Sequence, residues 1–174
     1  KLMSLGYIGG DAAPGSEDPV PRKLIQVMEK MNLSARLANE GLIDKAIEGF
    51  REVVKIDPKN TEAYINLAQC YAGLGKYDEA ITHFEIAASF KPDNPDIIND
   101  IGTCYTEKMD LGKALDQLNK VIELDAEFTQ AYYNRGLVYR KLGNWEHAIE
   151  DYDKAIELDA EFAEAYSNRG SVYE

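Results

Sequence analysis

The chain has 174 residues, with 31 Asp+Glu against 19 Lys+Arg, a net charge of -12, 45% apolar and 29% charged residues. That mixture excludes a disordered tail, and no apolar run approaches the roughly 20 residues needed to span a bilayer. A strongly acidic chain without a Lys/Arg-rich stripe repels phosphate backbones, so nucleic acid is excluded as a partner and no membrane insertion is expected.

In chain order, residues 1–22 come first. Gly9-Gly10, Pro14-Gly15 and Pro19-Val20-Pro21 predict an extended leader or linker rather than a helix. From Val27 onward, four blocks of 34 residues end at Asn60, Asn94, Phe128 and Phe162, and a partial fifth block covers 163–174. A period of this size predicts stacked repeats. The repeat units are therefore 27–60, 61–94, 95–128, 129–162 and the first helix of a fifth over 163–174, within one domain spanning 23–174.

Each block carries apolar residues at helical spacing in two runs, for example Tyr64, Leu67, Ala68 and Tyr71, then Tyr77, Ala80, Ile81, Phe84 and Ala87. Gly41, Gly75 and Gly143 stand between the runs, suited to the left-handed conformation that ends a helix. The third block has Met109 there, which predicts a strained or differently ended turn with help from Asp110. Second helices should stop at Asp57-Pro58 and Lys91-Pro92. Ala126 and Ala160 replace proline later, predicting slightly longer helices there. Small residues Ser34, Ala68, Gly102, Gly136 and Gly170 recur opposite the large column Phe50, Phe84, Leu118 and Tyr152, as closely crossing helices require. Cys70 and Cys104 fall at equivalent places of adjacent repeats, too far apart for a disulfide, and are read as free core thiols.

The pattern Ala-Tyr-x-Asn-x-(Gly/Ala)-x-x-Tyr, then Leu-Gly-x-(Tyr/Trp)-x-x-Ala-Ile and a closing Asp-Pro, resembles the tetratricopeptide repeat. Residues 61–94 and 129–162 match nearly throughout. The resemblance implies an all-α, right-handed superhelical solenoid of helix-turn-helix repeats whose first helices line a concave groove that holds a peptide or another protein. The short stretch Leu2 to Ile8, within residues 1–10, resembles the end of a sulfatase-like hydrolase domain that can precede such repeats. Both ends of the chain read as cuts in a longer protein.

Catalytic groups do not converge. His83 and His147 lie on second helices, outside the implied groove. A metal set of His147, Glu150 and Asp151 competes with a solvated, charge-paired surface, which is the favoured reading. Gly73-Leu74-Gly75 lacks the third glycine and the strand of a nucleotide loop. The chain is read as a non-enzymatic binding module, with no cofactor and no metal.

One column stays polar through all five first helices: Asn32, Asn66, Asp100, Asn134 and Asn168. An amide has two donors and an acceptor, suited to the backbone of an extended peptide, and the column resembles the asparagine ladder of the O-GlcNAc transferase superhelix. The alternative is that these amides bond to a neighbouring helix. Around the column, Met28, Met31, Ala35 and Ala38 form an apolar end. Glu62, Gln69, Asp96, Thr103 and Glu107 form an acidic middle, and Tyr133, Leu137, Arg140 and Lys141 follow. The lysine and arginine clamp of chaperone-adaptor repeats is missing, its places holding Met31, Ala35, Asn66, Asn99 and Thr103. The expected partner is a protein or peptide, neutral to basic in its middle.

Two alternatives remain: self-assembly into a homo-oligomer through the incomplete last repeat, with Tyr166, Gly170 and Tyr173, or a regulatory part of a sulfatase-like hydrolase. Free cysteines fit a cytoplasmic location, whereas a genuine sulfatase-like leader would place the chain outside the cytoplasm.

Overall fold

The structure is a computed structural model that describes residues 21–172. Among these residues there are nine α-helices and no strands. They are α1 (Arg22–Asn39), α2 (Ile43–Ile56), α3 (Thr61–Gly73), α4 (Tyr77–Phe90), α5 (Pro95–Glu107), α6 (Leu111–Leu124), α7 (Thr129–Lys141), α8 (Trp145–Leu158) and α9 (Ala163–Gly170). The leader, Tyr173 and Glu174 lie outside the described residues.

Each odd helix packs against the even helix that follows, and each even helix against the next odd one. Direct contacts also join α1 to α3 and α5 to α7, which places first helices side by side, on the side that the repeat resemblance implies is concave.

Local chemistry sets the helix ends. Gly41, Gly75 and Gly143 have φ of 77°, 72° and 73°, the left-handed conformation that costs glycine nothing. Met109 adopts φ 62° at the equivalent place, and Asp110 caps α6 by accepting from Lys113 N at 3.4 Å. The third turn is therefore the same turn, made by a side chain that is strained in it. Asn60 and Asn94 cap α3 and α5 through bonds of 2.9 Å to Ala63 N and Ile97 N. Phe128 and Phe162 replace them before α7 and α9, which have no side-chain cap.

The later second helices are not longer. α6 and α8 have 14 residues, as α2 and α4 do. Asp125 and Asp159 turn their carboxylates onto Glu127 N and Glu161 N at 3.0 and 2.9 Å, and this side-chain turn ends each helix without proline.

The core follows the repeat columns. Ala46, Ala80, Ala114 and Ala148 are fully buried, as are Phe50, Phe84, Leu118 and Tyr152. Small residues admit the large ones: a Cβ on Gly136 would lie 2.7 Å from Tyr152 Cε1, and one on Gly102 would lie 3.0 Å from Leu118 Cγ. Cys70 and Cys104 are free and buried, and burial, aided by Asp100 and Glu107, pushes the Cys104 thiol up to about 11. No described helix is long and apolar enough to cross a membrane.

Candidate functional site

The candidate site is the face that α1, α3, α5, α7 and α9 present together. Helical periodicity places Glu62, Gln69, Asp96, Thr103, Glu107, Gln130 and Lys141 on its exposed surface, while Leu67, Ile101 and Val138 of the same helices are buried on the other side. Met31, Ala35 and Ala38 are half-buried against the core, and Met28 is exposed at the front end.

The polar column does not behave as five equivalent amides. Asn134 is buried. Its Nδ2 donates to Asn99 Oδ1 at 2.9 Å and to Thr103 Oγ1 at 3.3 Å, and its Oδ1 accepts from Gln130 Nε2 at 3.1 Å. Asn168 Nδ2 donates to Tyr133 Oη at 2.9 Å and to Glu164 O at 3.0 Å, while Arg140 Nη1 donates to Asn168 Oδ1 at 2.6 Å. Both cross-repeat bonds reach back 35 residues, to the same position of the previous first helix. The bonding of amides to a neighbouring helix therefore describes Asn134 and Asn168.

Asn66 differs for a physical reason. Thirty-five residues before it stands Met31, which offers no hydrogen-bonding oxygen on its side chain, and Asn66 Nδ2 donates to Glu62 O of its own helix at 2.8 Å. Asn32 is exposed. Asp100 is half-buried and hydrogen-bonded to Gln69. Burial pushes its carboxyl above the ordinary carboxylate range, the Gln69 bond pulls it down, and Asp96 adds to the rise.

Tyr133 is half-buried. Its ring meets Phe162 edge-on at 5.0 Å and lies 6.0 Å from Tyr152, so packing claims one part of it and the groove the other. Tyr132 is core, stacked beneath Arg135, and Tyr166 is exposed.

Two histidines sit away from this face. His83 is flanked by Tyr71 and Tyr64 at ring distances of 5.3 and 6.1 Å, and burial, then the nearby Arg51, hold it below the usual histidine range. His147 turns Nδ1 to Asn144 Oδ1 at 2.8 Å, while Asp151 faces Arg135, so the sequence-derived metal set does not converge.

Sequence reasoning missed the Arg135 site. Arg135 Nη2 and Nε donate to the two Asp151 carboxylate oxygens at 2.7 and 2.9 Å, and Nη1 donates to Asn119 Oδ1 at 2.7 Å. Asp151 is buried. The available signal was Arg135 in the column of Leu67 and Ile101, with an acid 16 residues later. Arg169 makes a related contact to Asp153 at 2.5 Å.

Comparison with known proteins accords with this geometry. Family models described as TPR repeat and tetratricopeptide repeat match residues 102–143, 136–174 and 37–97. A crystal structure of MamA protein superposes with a TM-score of 0.74 at 28% identity, covering 85% of this chain and 81% of that one. A tetratricopeptide repeat protein from Parabacteroides merdae gives 0.74 at 26% identity, over 85% of this chain and 59% of that one. The first TPR of Spaghetti (RPAP3), bound to the HSP90 peptide SRMEEVD, gives 0.62 at 26% identity, over 67% of this chain and 93% of that one. No curated protein matches the sequence. Residues 1–10, with their sulfatase-like resemblance, lie outside both the described and the family-matched residues.

Such repeats are non-enzymatic and mediate protein–protein interaction. With its 34-residue period, its helical hairpins and these matches, the chain belongs to the tetratricopeptide repeat family.

Proposed function

We propose that the concave face holds an extended segment of a partner protein, neutral to basic in its middle. The observation that carries this reading is the run of exposed polar and acidic groups on successive first helices: Glu62 and Gln69 on α3, then Asp96, Thr103 and Glu107 on α5. These side chains face away from the core, and a cationic segment lying across α3 and α5 would meet them in turn. The 26%-identical first TPR of Spaghetti, bound to a short HSP90 peptide, is a precedent for peptide capture by this fold.

In this reading Asn32, Asn66, Gln69, Asp100 and Thr103 contact the ligand from the front and middle, and Tyr133, Arg140 and Lys141 from the rear. Asn134 and Asn168 hold the floor on which the ligand lies, because their amides already bridge repeats.

A peptide array probed at about 50 and about 300 mM salt tests the proposal, since exposed charge pairs weaken as the screening length shortens. Bound peptides should be enriched in central Lys or Arg and lose signal at the higher salt. Asp96→Asn with Glu107→Gln should then weaken the best peptide several-fold. Asn66→Ala should weaken it without changing stability, whereas Asn134→Ala should cost roughly 1–2 kcal/mol of stability, by stranding the buried Asn99 side-chain oxygen. An array without basic enrichment, or an affinity indifferent to the acidic substitutions, sinks the proposal.

A further inference from the structure

In a chain this acidic, cations are drawn to carboxylates: Lys108 to Asp78, Lys113 to Asp110, Arg135 to Asp151 and Arg169 to Asp153. Other cations, such as Arg51, Lys55, Lys76 and Lys91, form no ion pair among the described residues, and of the unpaired cations Arg140 and Lys141 stand adjacent on the groove side of α7. Neither has a carboxylate within ion-pair range among the described residues. Arg140 Nη1 donates to Asn168 Oδ1 at 2.6 Å, and Lys141 Nζ lies 3.9 Å from Met109 Sδ.

The direction of the hydrogen bonds has a chemical consequence. Tyr133 Oη accepts from Asn168 Nδ2, so its own proton is not spent on Asn168. Burial, then Glu164, push the Tyr133 ionisation up, against the lowering pull of Arg140 and of the Asn168 bond. Arg140 commits one of its five N–H donors to Asn168, and Lys141 carries three donors opposite only a thioether. Beneath them the fully buried Tyr152 hydroxyl has no partner and lies near enough to Arg140 and Tyr133 to feel both. Donors accumulate here, and Glu164 is the acidic neighbour acting on Tyr133.

We infer that Tyr133 and Arg140, flanked by Lys141, form a carboxylate-binding subsite at the fourth repeat, for an Asp or Glu side chain or a C-terminal carboxylate of the ligand. This rests on the groove reading above and adds a polarity to it. Neighbouring helices lie about 10 Å apart, a distance that an extended peptide covers in about three residues. The carboxylate therefore sits about three to six residues from the basic segment held by α3 and α5.

The test uses the complete chain, isotope-labelled, with N-acetylalanine as a terminal carboxylate and N-acetylglutamate α-amide as a side-chain carboxylate. N-acetylalanine amide is the neutral control, and the Asn168 Nδ2 and Arg140 Nε resonances are followed. At least one acid should shift both saturably, about tenfold tighter than the neutral amide, as charge-assisted bonding to a guanidinium predicts. The stronger of the two acids identifies the source of the carboxylate. Tyr133→Phe, which keeps the ring packing, should weaken the acid several-fold, and Arg140→Gln should bring it to the level of the neutral amide, with the melting midpoint confirming that each variant is folded. Equal shifts from acids and amide, or shifts that survive Arg140→Gln, overturn the inference. Either failure leaves the basic enrichment in the peptide array standing, so the two readings can fail separately.

Discussion

Repeat two and repeat four share one period and the same columns, yet they are held together by different forces. Around repeat two a single apolar cluster runs from Ala46 and Phe50 through Leu67, Tyr71 and Phe84 to Ile101 and Cys104. Around repeats three and four the core divides into smaller groups near Val121, Leu118 and Ala155. Between these groups run polar stitches: Arg135 with Asp151 and Asn119, Asn134 with Asn99, and Asn168 with Tyr133 and Arg140. A position that is apolar in one repeat can hold a cation in another, provided that a carboxylate arrives from the facing helix.

The largest expected effect breaks that proviso. Asp151→Ala leaves Arg135 partly buried without its acid and should cost about 3–5 kcal/mol, measured by urea denaturation with hydrogen exchange to locate the loss in α7 and α8. The double substitution Arg135→Ile with Asp151→Gln gives repeat four the residues that repeat three has at Ile101 and Gln117. It should recover most of the loss, and a double variant as unstable as the single one would show that the polar stitch is more than an exchange of one pairing for another.

The next effect tests the small-to-large packing. Gly136→Ala places a methyl 2.7 Å from the Tyr152 ring and should cost roughly 2–3 kcal/mol, whereas Gly102→Ala, 3.0 Å from a Leu118 carbon, should cost less. Thermal midpoints of the two variants give the order directly. The same melting experiment sharpens the smallest contrast: Met109→Gly relieves a left-handed side chain and should stabilise by about 1 kcal/mol, making the third turn like the other three.

The hairpins were legible in the sequence because their causes are local. Glycine at Gly41, Gly75 and Gly143 and the spacing of Ala80, Phe84 and Ala87 act within one repeat, and Cys70 and Cys104 follow from their columns. The ends of α6 and α8 are not legible from missing prolines, because the Asp125 and Asp159 side-chain turns set them instead. In the groove, the exposed acidic middle followed from helical periodicity. The burial of Asn134 did not, since it depends on Asn99 and Thr103, both supplied by another repeat.

The sequence by itself determined the 34-residue period, and with it which residues are equivalent, because helix formation and turn geometry act over a few residues. Tertiary structure alone decided whether equivalent residues do the same work. Asn66 and Asn134 share a column, but one turns to its own helix and the other bridges to the repeat before it. The reason is that a hydrogen bond belongs to a pair, and the second member of that pair, Asn99, lies on a different helix brought within reach only by the stacking of repeats.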